Sequence, residues 1–324
     1  MRLTPSEQAR LAKSGRVNPK AYEAFLKGRH LTLKWQKRDI LKGREYFQLA
    51  IAEDPTYASA YAGLADTYIT EGFYWGTRPA DLLPQAERWA THAFKIDPDL
   101  VGPHIIVALV RGIYGRDWPQ AKREFERAAE LAPNNEWFHY TYASYYLLPA
   151  GRLDEALREV QLAAETAPLS ANITTMAGWV LFFRWEYGLA IAQFRKTLEL
   201  DPEFLYARMG LAASLAQQGN LREAAAVTAP SETVAWLRTL EGKGAEARRM
   251  LDELVERSKR EYIGGYELAH IHVALGEKQP ALEQLERAYR DCQPQLANLK
   301  VDPRLDDLRS EPRFVALVRQ INLE

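Results

Sequence analysis

Residues 120–146 read QAKREFERAAELAPNNEWFHYTYASYY, and this stretch decides the fold. Gln120 to Leu131 forms an amphipathic helical pattern with Ala121, Phe125 and Ala128 on one face. The pattern stops at Ala132-Pro133, because proline disfavours α geometry in the residue before it. Six residues beyond the proline a second pattern starts. His139, Tyr142, Ala143 and Tyr146 stand at i, i+3, i+4 and i+7, one face of another helix.

The same unit recurs on both sides. Asp54-Pro55, Asp97-Pro98, Ala132-Pro133, Ala167-Pro168 and Asp201-Pro202 are spaced by 43, 35, 35 and 34 residues. A period of this size marks a repeat array. Tyr61, Leu64, Ala65 and Tyr68 repeat the first-helix set, as do Thr174, Ala177, Gly178 and Leu181. The small member of each set lets a neighbouring helix approach closely. Ala156, Val160 and Ala163, then Ala190, Phe194 and Thr197, repeat the second-helix set. One helix pair is too small to bury its apolar face, so the pairs must stack.

This register is similar to that of the tetratricopeptide family, a resemblance that implies an all-α, right-handed solenoid of about eight helix-turn-helix repeats. Five clear repeats are expected over residues 18–203: 18–56, 57–99, 100–134, 135–169 and 170–203. Three degenerate ones are expected over 204–291, the sixth cut short by Pro230. Thr4-Pro5-Ser6-Glu7 reads as a helix start. Residues 1–17 are therefore expected to be a helix or linker trailing from an upstream domain absent here. Ser310-Glu311-Pro312 opens a last helix with Phe314, Leu317, Val318 and Ile321 on one face. Residues 292–324 are expected to form the cap that a solenoid needs. Between Tyr68 and Pro84 the second repeat carries an insertion, Phe73-Tyr74-Trp75-Gly76-Thr77-Arg78-Pro79. A binding loop and an extended turn folded on its own repeat are both open readings, the turn being favoured. The first repeat has a longer inter-helix segment around Trp35 to Ile40.

The wording of the chain is also similar to one branch of that family. Arg116-Asp117-Trp118 before Ala121-Lys122-Arg123-Glu124-Phe125, the run Glu256 to Tyr262, and Val301-Asp302-Pro303-Arg304 with Leu308 to Phe314 carry the resemblance. It is to the carboxy-terminal repeats of bacterial signalling proteins, in which a winged-helix transcriptional regulator or serine/threonine kinase domain precedes the repeats. The resemblance implies a protein-binding scaffold in signalling or transcriptional regulation.

Composition narrows the classes of function. The 42 Lys+Arg and 43 Asp+Glu leave a formal net charge of −1, which offers nucleic acid or an anionic membrane no electrostatic footprint. No apolar run is long enough to cross a bilayer, and Met1 to Ser14 lacks a signal peptide's apolar core. One cysteine, Cys292, excludes an internal disulfide framework. A cytoplasmic location, no membrane contact and no direct nucleic-acid binding are expected; the oligomeric state stays open. His270 and His272 point about 200° apart on one helix and cannot share a metal. His104 and His139 share a register position, where hydrogen-bonded helix histidines are expected. Catalytic and phosphate-binding motifs are absent. No enzyme activity, cofactor or metal is expected.

In this architecture the first helix of each pair lines a concave surface. Register then nominates Ala62, Asp66, Ile105, Leu109, Tyr140, Ser144, Thr175, Trp179, Met209, Ala213, Tyr266 and His270, flanked by Trp137, Asn172 and Tyr206. The Lys/Asn set by which some family members clamp a terminal carboxylate is absent there. Aromatic side chains on a rigid concave face suit binding anchors; Tyr140 and Trp179 could equally fill space between helices. The expected partner is a protein or peptide with apolar side chains. Two alternatives stand beside it: self-association, and a small-molecule sensor controlling an effector.

Overall fold

The computed structural model describes residues 18–33, 36–74 and 76–321. Among them the regular elements are all helical. The chain divides into two compact units, Met1–Val110 and Arg111–Glu324. The first contains α1 (Pro19–Thr32), α2 (Lys37–Glu53), α3 (Ala58–Tyr74) and α4 (Pro79–Ile96), and α5 (Val101–Ile113) runs across the division. The second contains α6 (Trp118–Leu131), α7 (Glu136–Tyr142), α8 (Leu153–Thr166), α9 (Ala171–Phe183), α10 (Tyr187–Leu200) and α11 (Leu205–Gln217). It continues with α12 (Leu221–Ala226), α13 (Ser231–Leu240), α14 (Gly244–Arg257), α15 (Gly265–Ala274) and α16 (Lys278–Arg290). Two 3-10 turns, Pro294–Lys300 and Pro303–Leu308, lead to α17 (Pro312–Ile321).

The proline stops act as their chemistry requires. Asp54, Asp97, Ala132, Ala167 and Asp201 all leave α geometry, with φ between −147° and −132° or, for Ala132, −151°. The residue six beyond the proline then returns a side chain to the proline's own carbonyl. Tyr61 Oη donates to Pro55 O at 3.3 Å and Arg208 Nε to Pro202 O at 2.9 Å. His104 Nε2 lies 3.0 Å from Pro98 O, and His139 Nε2 lies 2.8 Å from Pro133 O. The shared register of the two histidines thus has a structural cause.

The second-helix sets form the core of each pair: Ala121, Phe125, Ala128, Ala156, Val160, Ala163, Ala190 and Phe194 are all buried. The small residues are notches for rings. A Cβ at Gly178 would fall 2.6 Å from the Phe194 ring, and one at Gly210 would fall 2.2 Å from it. In the first unit Phe47 sits likewise against Gly28 and Gly63.

Repeats spaced by 35 residues must absorb one residue more than those spaced by 34. In the fourth pair, α7 continues as a π turn over Ala143–Leu147, where Leu148 N donates to Ala143 O. In the third, Arg116 takes φ 54° in a longer turn. The left-handed position between paired helices is glycine at 151, 219, 242 and 276, but in the fifth pair it is Trp185, φ 65° and 59% exposed. Trp185→Gly should therefore raise stability, by up to about 1 kcal/mol, in denaturant titration. A loss would mean that the indole makes a compensating contact.

The insertion differs from the expected extended turn. α3 runs on to Tyr74 and α4 begins at Pro79 with Pro84 inside it, so the extra residues lengthen two helices. They are pinned to the first pair: Thr77 Oγ1 donates to Glu71 Oε1, and Glu71 pairs with Arg44 at 2.7 Å. The expected helix within residues 1–17 lies outside the described residues, as do Trp35 and Trp75.

The carboxy-terminal helix covers α16, where Arg313 pairs with Glu286 at 2.9 Å and Lys278 with Glu311 at 2.8 Å. Phe314, Leu317 and Ile321 are its buried face. It also reaches the start of its unit, since Trp118 Nε1 donates to Ile321 O at 2.6 Å. Arg116 stacks on the Tyr289 ring at 4.8 Å. The first and last elements of the second unit therefore meet.

Candidate concave binding site

Within the second unit, α7, α9 and α11 are the first helices of three successive pairs, and each presents partly accessible side chains. Trp137 and Tyr140 come from α7, Asn172 and Trp179 from α9, and Tyr206 and Met209 from α11. Burial, then the nearby Glu267 carboxylate and Tyr140, push the Tyr206 phenol up. Side chains of α7, α11 and α15 thus come within electrostatic reach of one another.

Trp179 is only partly a surface residue. Its ring meets Phe182 at 5.4 Å and Phe194 at 5.5 Å edge-on, and stacks with Phe183 at 5.9 Å. The Arg304 guanidinium lies 5.7 Å from the Trp179 centroid and 5.6 Å from that of Phe182. A residue from beyond the last repeat therefore sits on the middle of the array.

Arg304 belongs to a buried polar cluster centred on Asp302, which is 0% exposed. Asp302 Oδ2 accepts from Tyr266 Oη at 2.8 Å and from Arg304 Nη2 at 2.6 Å. Its Oδ1 accepts from the Arg304 backbone at 3.0 Å and Nε at 2.9 Å, and His270 Nε2 lies 3.2 Å from Oδ2. Gln293 accepts from the Tyr266 backbone N–H and donates to Glu267 Oε2, both at 2.9 Å. Burial alone would raise the Asp302 carboxyl, but Arg304 and His270 outweigh it and hold it well below the carboxylate range. Burial, with Gln293 opposing it, raises Glu267.

The register is thus corrected at seven positions. Ile105, Leu109, Ser144, Thr175, Ala213, Tyr266 and His270 are buried and not displayed. Ile105 and Leu109 are core residues of their own unit. Ser144 lies in the π turn, its hydroxyl donating to Tyr140 O at 2.6 Å. Thr175 turns toward the second helix of its pair, 3.5 Å from Thr197 Oγ1. Tyr266 and His270 are taken by Asp302. In the first unit Asp66 is partly buried, and burial pushes its carboxyl up to about 6. Sequence reasoning missed Gln293, Asp302 and Arg304 as partners of Tyr266, Glu267, His270 and Trp179. The signal was Val301-Asp302-Pro303-Arg304, a charged pair around a proline after the last repeat.

Burial, reinforced by Arg304, lowers His270 to about 4 from 6.5. Burial and then Arg248 lower His272 to about 4 as well. The unfolded chain takes up these protons first, so stability is full above about pH 6.5 and falls as pH drops toward 4. His270 should contribute up to about 3 kcal/mol to this fall. Denaturant midpoints measured across that window should drop, and His270→Gln should flatten the drop; a midpoint independent of pH would contradict this.

The tetratricopeptide-repeat family model matches residues 175–228. "Putative adenylate cyclase 3" of Rhizobium meliloti (strain 1021) is 27% identical over 110 residues, 34% of this chain and 19% of that protein. The match thus spans about a fifth of that curated relative's length. Among solved structures, a human IFIT1 dimer with m7Gppp-AAAA has a TM-score of 0.54 at 16% identity, over 79% of this chain and 68% of that one. TTC0263, a tetratricopeptide-repeat protein of Thermus thermophilus, has a TM-score of 0.50 at 18% identity, over 60% and 99%. At these identities the likeness is one of fold. Among the described residues no helix is long and apolar enough to cross a membrane.

Proposed function

We propose that this tetratricopeptide-repeat protein is the polypeptide-binding module of a cytoplasmic signalling protein, holding its partner on the concave face of the second unit. The observation that carries the reading is the run of partly accessible aromatic side chains Trp137, Tyr140, Trp179 and Tyr206 on three successive first helices. Large amphipathic rings on a rigid scaffold bind with little loss of side-chain freedom. The local likeness to a protein named as an adenylate cyclase supports the signalling context. On this reading the module performs no chemistry itself, and the near-neutral charge gives its partner no long-range electrostatic attraction.

Panning a displayed peptide library against the full chain tests the reading. Selected peptides should carry a large apolar residue and protect α7, α9 and α11 from hydrogen exchange. Protection confined to other helices would contradict it. Light scattering on the same sample separates the self-association alternative, which requires a stable dimer or larger.

A further inference from the structure

The second unit already holds a segment of its own chain, from beyond the last repeat, against its first helices. Asp302 is sunk between Tyr266 and His270, Arg304 lies against Trp179 and Phe182, and Leu305 is 0% exposed. Val301 packs on the core of the repeats. These contacts come from side chains, as docking does, and they engage first helices of two repeats far apart in sequence, α9 and α15.

We propose that Val301-Asp302-Pro303-Arg304-Leu305 is an exchangeable internal ligand. The external partner then carries the same chemistry: a carboxylate, an arginine two residues later, and apolar residues flanking the pair. The carboxylate enters the Tyr266–His270 pocket and the guanidinium covers Trp179 and Phe182. Binding is coupled to release of the chain's own segment, so the free module is held shut against weaker ligands. This proposal rests on the reading that the concave face takes a polypeptide, and adds the partner's sequence chemistry and the competitor.

The probe is a labelled synthetic peptide of residues 296–309, LANLKVDPRLDDLR. It is titrated into the full chain and into an Asp302→Ala/Arg304→Ala chain, which removes both members of the buried pair together. The double variant should bind the peptide at least tenfold more tightly than the unaltered chain. Replacing both charged residues of the peptide by alanine should abolish the gain. Equal binding by the two chains overturns the proposal. Should the double variant not fold, hydrogen exchange on the unaltered chain decides. Amides of residues 296–308 should open in a step separate from, and at least tenfold more populated than, the opening of α9 and α10. Exchange of all three only by global unfolding makes the segment a permanent part of the fold and overturns the proposal. Library peptides protecting α7 and α11 would then still uphold the polypeptide-binding reading, so the two failures are distinguishable.

Discussion

Leucine at Gly210 will cost the second unit about 3 kcal/mol or more, at the upper end of overpacking penalties. The reason is the position of Phe194. Its ring is 0% exposed and wedged between the notches of Gly178 and Gly210, where added Cβ atoms would fall 2.6 Å and 2.2 Å from it. Displacing the ring from one notch drives it into the other. Helical content should survive near room temperature, since neighbouring pairs keep their own contacts. Combining Gly210→Leu with Phe194→Ala should recover part of the loss, because the ring that clashes is gone. The check is denaturant unfolding of the two single variants and the double variant. Additive losses would mean that Phe194 does not mediate the clash.

Asp302→Ala should cost about 3–5 kcal/mol, the range for removing one partner of a buried ion pair. Arg304 keeps only 13% of its side chain exposed and would lose the two carboxylate oxygens that hold its guanidinium. Tyr266 Oη would lose its acceptor as well. Removing Arg304 together with Asp302 should cost less than removing Asp302 alone, since no uncompensated charge remains. A loss from Asp302→Ala no larger than that of a surface substitution would show that the cluster does not hold the carboxy-terminal segment in place.

The helix pairs were legible because proline stops and small-residue notches are local and periodic. Ala132-Pro133 ends a helix wherever it stands, and Gly178 marks a close approach whichever ring fills it. Which of the nominated side chains stay accessible was legible only in part. Trp137, Tyr140 and Tyr206 stand on helices whose sequence register dictates their face. Ser144 escaped because a π turn rotates the register after Ala143. Tyr266 and His270 escaped because their burial depends on Asp302, which lies 36 and 32 residues downstream and belongs to no repeat. Periodicity reports faces of helices; it carries no information about a non-repeating segment that returns to cover them. The extension of α3 and α4 escaped for a related reason, since Pro84 inside a helix reads as a boundary.

Trp179 packs on three phenylalanine rings, so its replacement would damage folding together with binding. Trp137, partly accessible on α7, is the sharper probe. The most direct measurement takes a peptide selected on the full chain and titrates it calorimetrically into the unaltered protein and Trp137→Ala, with melting temperatures recorded for both. The account predicts a loss of about 2 kcal/mol in binding, the scale of an aromatic anchor, with melting little changed. It also predicts a nearly constant affinity from about 0.05 to 0.5 M salt, since few charges are neutralised. Unchanged affinity in Trp137→Ala, or a steep fall with salt, would contradict an apolar polypeptide contact on this face.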